Sequence, residues 1–108
     1  MYVLVVDVAG NEKASRRMDG NGTASLDLVP RKARTAAAFR TSTQDLADRT
    51  TDPARIASFT TAGFSLLGGG QPIREGEGEA AVVIGAVGVG GGSPEQDDEV
   101  ALAALAAL

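Results

Sequence analysis

The segment Ile84-Gly85-Ala86-Val87-Gly88-Val89-Gly90-Gly91-Gly92 constrains this chain more than any other, because large and small residues alternate along it. Alternation at period two marks a strand whose side chains point to opposite faces. Ala86, Gly88 and Gly90 leave one face almost bare, so another backbone or a flat ligand can approach it closely. A helix start follows at once. Ser93 caps it, Pro94 suits the first turn, and Gln96 completes a capping box with the serine. The spacing predicts a closing helix over residues 94–108, with Glu95, Asp97, Asp98 and Glu99 at the positive end of its dipole. Val100, Ala101, Ala104, Leu105 and Leu108 recur at helical spacing and are expected to face the core.

The rest of the chain reads as a mixture of strands and helices. Residues 2–8 are a Val-rich strand, Ala9-Gly10-Asn11 a turn, and residues 12–18 a polar returning strand. After the loop Asp19-Gly20-Asn21-Gly22 comes a helix with Asp27 as its expected N-cap and Pro30 inside its first turn, fading near Phe39 and Arg40. Its Ala33, Ala36 and Ala37 form a low-profile face suited to tight packing on a sheet. Residues 43–48 add a helical turn or two, and Asp52-Pro53 starts another helix. Residues 59–67 read as a strand ending in the turn Gly68-Gly69-Gly70. Residues 71–75 are a short strand, Gly76-Glu77-Gly78 a hairpin tip, and residues 80–89 the longest strand. The pattern is that of a single α+β domain, residues 1–108, whose antiparallel sheet carries helices on its face.

Composition excludes several functions. With 108 residues there is one core, and 44% apolar content includes only three Phe, one Tyr and no Trp, so close backbone packing must replace aromatic mass. A net charge of −4 argues against nucleic acid, although Arg16, Arg17, Arg31, Lys32 and Arg34 cluster early enough to hold an anion. The absence of Cys removes disulfides, thiolate metal sites and cysteine catalysis. The absence of His removes the commonest general base and haem ligand. No metal site is expected. No segment reaches the roughly 20 apolar residues that span a membrane, and no signal peptide is visible, so the expectation is a cytoplasmic domain with no membrane partner.

Candidate binding residues concentrate in two places. Lys32 and Thr35 lie about one helical turn apart and can face one cleft, where Lys32, Arg34 and Arg17 would hold carboxylates. Met18 offers a thioether, a known haem-iron ligand. Gly69 and Gly70, with Gly88 and Gly90, leave room for a flat body, and the glycine turn offers backbone N–H groups as an anion nest. Other patterns lead nowhere. Gly76-Glu77-Gly78-Glu79 is too acidic for pyrophosphate, and Asp19-Gly20-Asn21-Gly22-Thr23 lacks the turn glycine and closing glutamate of a calcium loop.

Three segments, in this order, resemble the GlcG/HbpS-type family of haem-binding or haem-degrading proteins, found also as the C-terminal domain of PduO-type proteins. They are Val5-Val6-Asp7 through Gly10 to Arg17-Met18-Asp19-Gly20; Arg31-Lys32-Ala33-Arg34-Thr35-Ala36; and Gly69-Gly70-Gln71-Pro72-Ile73 through Ile84–Val89 to Glu95-Gln96-Asp97. The resemblance implies a profilin-like fold with a five-stranded antiparallel sheet and flanking helices, assembly into homo-oligomers, and haem or a related tetrapyrrole as ligand. It also implies a long helix before the first strand, which is missing here because Met1 all but enters that strand. Without His or Cys, a haem iron is left Met18, Tyr2, a Lys or a hydroxyl. Two other functions fit the residues. One is a cofactor-free enzyme acting on a small organic acid, with Asp7 or Asp19 as base, its pKa raised, and Lys32 or Arg17 as clamp. The other is an oligomeric structural module without a ligand.

Overall fold

Valine-rich β1 (Tyr2–Asp7) turns back into the polar, fully exposed β2 (Glu12–Arg17), as the hairpin pattern predicts. Three helices follow, α1 (Ala24–Phe39), α2 (Thr43–Arg49) and α3 (Pro53–Thr61). The chain then returns through β3 (Gly70–Glu75) and β4 (Val82–Gly90) and closes with α4 (Pro94–Ala106). The computed structural model describes all 108 residues. Its sheet has four antiparallel strands in the order β2-β1-β4-β3, with α1 packed on one face and α4 on the other.

The bare face of β4 is where α1 lies. Leu4, Val6 and Ala86 pack there against Val29, Ala33, Ala36 and Ala37. A Cβ built on Gly88 would stand 2.6 Å from the Val29 carbonyl oxygen and 2.8 Å from the Ala33 nitrogen, and one on Gly90 would stand 2.5 Å from Val29 Cγ2. The helix backbone therefore occupies the space that Gly88 vacates, and the Val29 side chain the space at Gly90. This corrects the expectation that Gly88 and Gly90 leave room for a flat ligand. On the opposite face Val87 and Val89 are buried with Ala101, and Val3, Val5, Val100, Ala104 and Leu105 close around them. Leu108, expected in the core, is 83% exposed because α4 ends at Ala106, before it.

Three boundaries differ from the sequence pattern. The first concerns α1, which starts at Ala24 behind Thr23. Asp27 sits within its first turn and pairs with Arg31, and Pro30 is an interior residue. Proline there forgoes one helical hydrogen bond, a loss that packing of the Ala-rich face on the sheet outweighs. The second is the stretch read as a strand over residues 59–67. Asp52 caps α3 by accepting from the Arg55 N–H, and the helix runs through Phe59, Thr60 and Thr61. Phe59 and Phe64 then stack with Phe39, ring centroids 5.2 and 5.0 Å from it, a contact that fixes α3 on the end of α1. The third boundary follows from the second: with residues 59–67 not a strand, the sheet has four strands instead of five. The capping box of Ser93 and Gln96 forms as read from the sequence, and α1 ends at Phe39 with Arg40 in the left-handed region at φ 56°.

Replacing Gly88 by Ala will force the α1 backbone away from β4. Overpacking of this kind costs about 1–3 kcal/mol, so Gly88→Ala should lower the urea midpoint by that equivalent. Ala103→Ser on the exposed side of α4 should leave it nearly unchanged.

Candidate functional site

α1 presents Ser25, Val29, Lys32, Ala33 and Ala36 toward the sheet, and the one charge in that row is Lys32, 2% exposed. A buried ammonium needs partners, and Lys32 has two. Its Nζ donates to Asp97 Oδ2 at 2.9 Å and to the Val89 carbonyl at 3.1 Å. Asp97, also 2% exposed, accepts from the Gly92 N–H at 2.9 Å through Oδ1. Gly69 makes the pair possible: at φ +122°, a Cβ there would lie 2.9 Å from Lys32 Nζ and 2.6 Å from the Val89 oxygen. Gly70 touches the Lys32 carbonyl region in the same way and donates its N–H to Thr43 Oγ1 at 2.9 Å. Lys32, Gly69 and Gly70 are thus brought together, around an internal ion pair.

The remaining sequence-derived residues lie elsewhere. Arg34 reaches along Gly10 and donates to the Gly63 carbonyl at 2.6 Å, holding the end of α3. Thr35 is fully buried. Its hydroxyl donates to the Arg31 carbonyl and accepts the Ser65 N–H at 2.9 Å, tying the loop after α3 to α1. Tyr2 is partly buried against the α1-side core. Arg17 and Met18 stay at the surface. With Asp19, Asn21 and Leu26 they line a concavity of about 420 Å³, in which Met18 is 58% exposed and Arg17 has no protein partner.

Asp97 was legible in the sequence only as an acid suited to a helix start. The signal that would have found its role was Lys32 itself, placed between Val29 and Ala36 on an apolar face. Asp7, a candidate base, is instead a turn carboxylate. It accepts N–H bonds from Asn11 at 3.0 Å and Ala9 at 2.9 Å, with Lys13 3.8 Å away. The Asn11 backbone N–H foremost, then its side-chain amide, the Ala9 N–H and the Lys13 charge, hold the Asp7 carboxyl below its ordinary 3.8 against the opposing effect of desolvation, which only the Asn11 N–H exceeds singly. A general base needs the reverse shift. Two larger openings have other characters. A groove of about 730 Å³ between β3, β4 and the end of α4 is walled by Ile73, Ile84, Leu105 and Leu108, and contains no nitrogen or sulfur ligand for iron. One of about 500 Å³ beside α2 is lined by Arg40, Asp45, Asp48 and Arg49.

The description "Haem degrading protein HbpS-like" belongs to the family whose model matches residues 1–106. The chain is a member of the HbpS-like family. The corrinoid adenosyltransferase PduO of Salmonella typhimurium is 36% identical over 112 residues, which take in the whole chain but only 32% of PduO. The chain therefore spans about a third of the length of this relative. Among solved structures, a PduOC:haem complex superimposes with a TM-score of 0.84 at 34% identity, covering 99% of the chain and 77% of that protein. HbpS of Streptomyces reticuli, as a double mutant, gives 0.79 at 33% identity, with 99% and 70% covered. No helix is long and apolar enough to cross a membrane.

Two outcomes test this description. Asp97→Ala leaves Lys32 buried and unpaired and should cost about 3–5 kcal/mol, read by chemical denaturation. Lys32→Met combined with Asp97→Leu should recover most of that loss. The stability that Asp7 lends the β1–β2 hairpin is present above pH 3.8 and fades as pH falls through its lower folded value. The Ala9 and Asn11 amide resonances should move together with a midpoint below 3.8, and a midpoint above it would contradict the hydrogen-bond assignment.

Proposed function

We propose that this domain binds haem or a closely related tetrapyrrole, at the concavity beside the end of β2. The carrying observation is the coincidence there of an exposed thioether, Met18, with an unpaired guanidinium, Arg17, in a chain without His or Cys. Family membership supports the reading, and so does the superposition on a PduOC:haem complex over 99% of the chain. Met18 would serve as iron ligand and Arg17 as anchor for a propionate, with Leu26 against the ring edge. Lys32 and Arg34 are not assigned to propionates in this reading, because each is already held by protein acceptors.

When bound, haem supplies redox and oxygen chemistry, and the chain's own contribution is binding and orientation. Haem degradation is the finer form of this reading, and it draws on the family description alone. Assembly of copies is its companion: Val82, Ile84 and Leu102, 61%, 47% and 50% exposed, provide apolar surface for a homo-oligomeric contact. The organic-acid enzyme is disfavoured by the lowered carboxyl of Asp7 and the engaged ammonium of Lys32.

Absorbance titration with haem, alongside light scattering, tests the proposal. The wild type should give a saturable Soret shift. Met18→Ala should change the position of the Soret maximum, and Arg17→Ala should weaken binding about tenfold, the equivalent of ~1.4 kcal/mol. A flat titration on well-folded protein would discard the tetrapyrrole. An unchanged spectrum in Met18→Ala would move the site elsewhere.

A further inference from the structure

A second cavity, of about 320 Å³, opens on the other side of the Gly20–Thr23 loop, between the first turns of α1 and the Gly90–Gly92 turn. Buried charges form part of its wall: Lys32 and Asp97 line it with Ser25, Leu28, Leu67 and Gly22. Two polar groups lining it lack full partners. Ser25 is 6% exposed and its hydroxyl makes no hydrogen bond to protein. The Lys32 ammonium has three donors and spends two, on Val89 and Asp97. Asn21 Oδ1 is a separate case: it is buried with no donor, against the position that a Cβ on Gly91 would take, and Asn21 lines the Met18 concavity.

Buried polar groups are ordinarily satisfied, and an unsatisfied one costs free energy comparable to a lost hydrogen bond. Two incompletely bonded groups facing one cavity, walled otherwise largely by glycines and two leucines, are arranged to be completed by a molecule from outside. Charge decides its class. Lys32 and Asp97 neutralise each other, so an anion would have to face Asp97 and a cation Lys32, each in a poorly hydrated setting. We infer that this cavity binds a small uncharged organic molecule bearing both a hydrogen-bond acceptor, for the free Lys32 N–H, and a donor, for the Ser25 hydroxyl. The volume stands at the low end of ligand cavities and suits a compact molecule. This site is separate from the Met18 concavity and does not rest on the haem proposal.

Three probes of nearly equal shape and different charge isolate the claim: acetamide, acetate and acetamidinium. Each is titrated into the isotopically labelled full chain, and the amide shifts of Gly22, Ser25, Gly90, Gly91 and Gly92 are followed. Acetamide should saturate these shifts with a Kd in the millimolar range, as expected for so small a ligand, and at least tenfold more tightly than either ion. Ser25→Ala should weaken acetamide several-fold while its spectrum remains dispersed. The inference is overturned by non-saturating or scattered shifts, by equal binding of the three probes, by tighter binding of acetate or acetamidinium, or by an unaltered Kd in Ser25→Ala. A haem titration has no bearing on any of these outcomes, so the two sites fail or stand independently.

Discussion

The closeness of α1 to β4 governs this molecule. A chain with three Phe, one Tyr and no Trp cannot fill the gap between a helix and a sheet with large side chains, so the two backbones themselves must meet. Ala86, Gly88 and Gly90 on the strand and Val29, Ala33 and Ala36 on the helix bring that about. The consequence reaches beyond packing. With α1 seated so low, the stem of Lys32 passes across the end of the sheet, and its ammonium emerges beside the Val89 carbonyl and the start of α4. The same approach that builds the core thus creates a buried charge, and the buried charge dictates the rest of that end of the fold. Asp97 must be in the first turn of α4, Gly92 must offer its N–H, and Gly69 must carry no side chain.

That chain of necessity explains what could be seen in the sequence. The alternation over residues 84–92 and the Ser93–Gln96 box are local signals, and the strand and helix they announce are present, as are the β1–β2 hairpin, the helical turns from Thr43 and the helix start at Asp52-Pro53. Residues 59–67 misled because Thr60 and Thr61 are β-branched and a glycine run follows. The deciding facts were the Asp52 cap and the stacking of Phe39, Phe59 and Phe64, the second of which is a long-range contact. Pro30 misled for a related reason. Its preference for a first turn is a local tendency, and tertiary packing of the alanine face overrode it.

The candidate site was only partly legible, because sequence shows the type of a charge and not the direction it faces. Lys32, Arg34 and Arg17 look equivalent when read along the chain. In the fold the first closes an internal ion pair, the second clamps the end of α3, and the third is free at the surface. The missed residues, Asp97 and Ser25, share a feature that could have exposed them. Both are polar side chains that fall on or opposite an apolar helical face, where solvation is unavailable and a partner is required.

The arrangement also bears on how one scaffold can serve different ligands. The ion pair, Gly69 and the α1–β4 contact are structural necessities and cannot vary independently. The Gly20–Thr23 loop is under no such constraint: it is mostly exposed, and it forms part of the wall of each cavity. Met18 and Arg17 enter that loop from β2, and Ser25 leaves it into α1. A change of ligand therefore asks for substitutions at residues 17–25 and nowhere in β1, β3 or β4. Iron ligation by a thioether and recognition of an uncharged molecule by a hydroxyl would then be two uses of one short segment, made compatible because the rigid layer beneath it is indifferent to which is present.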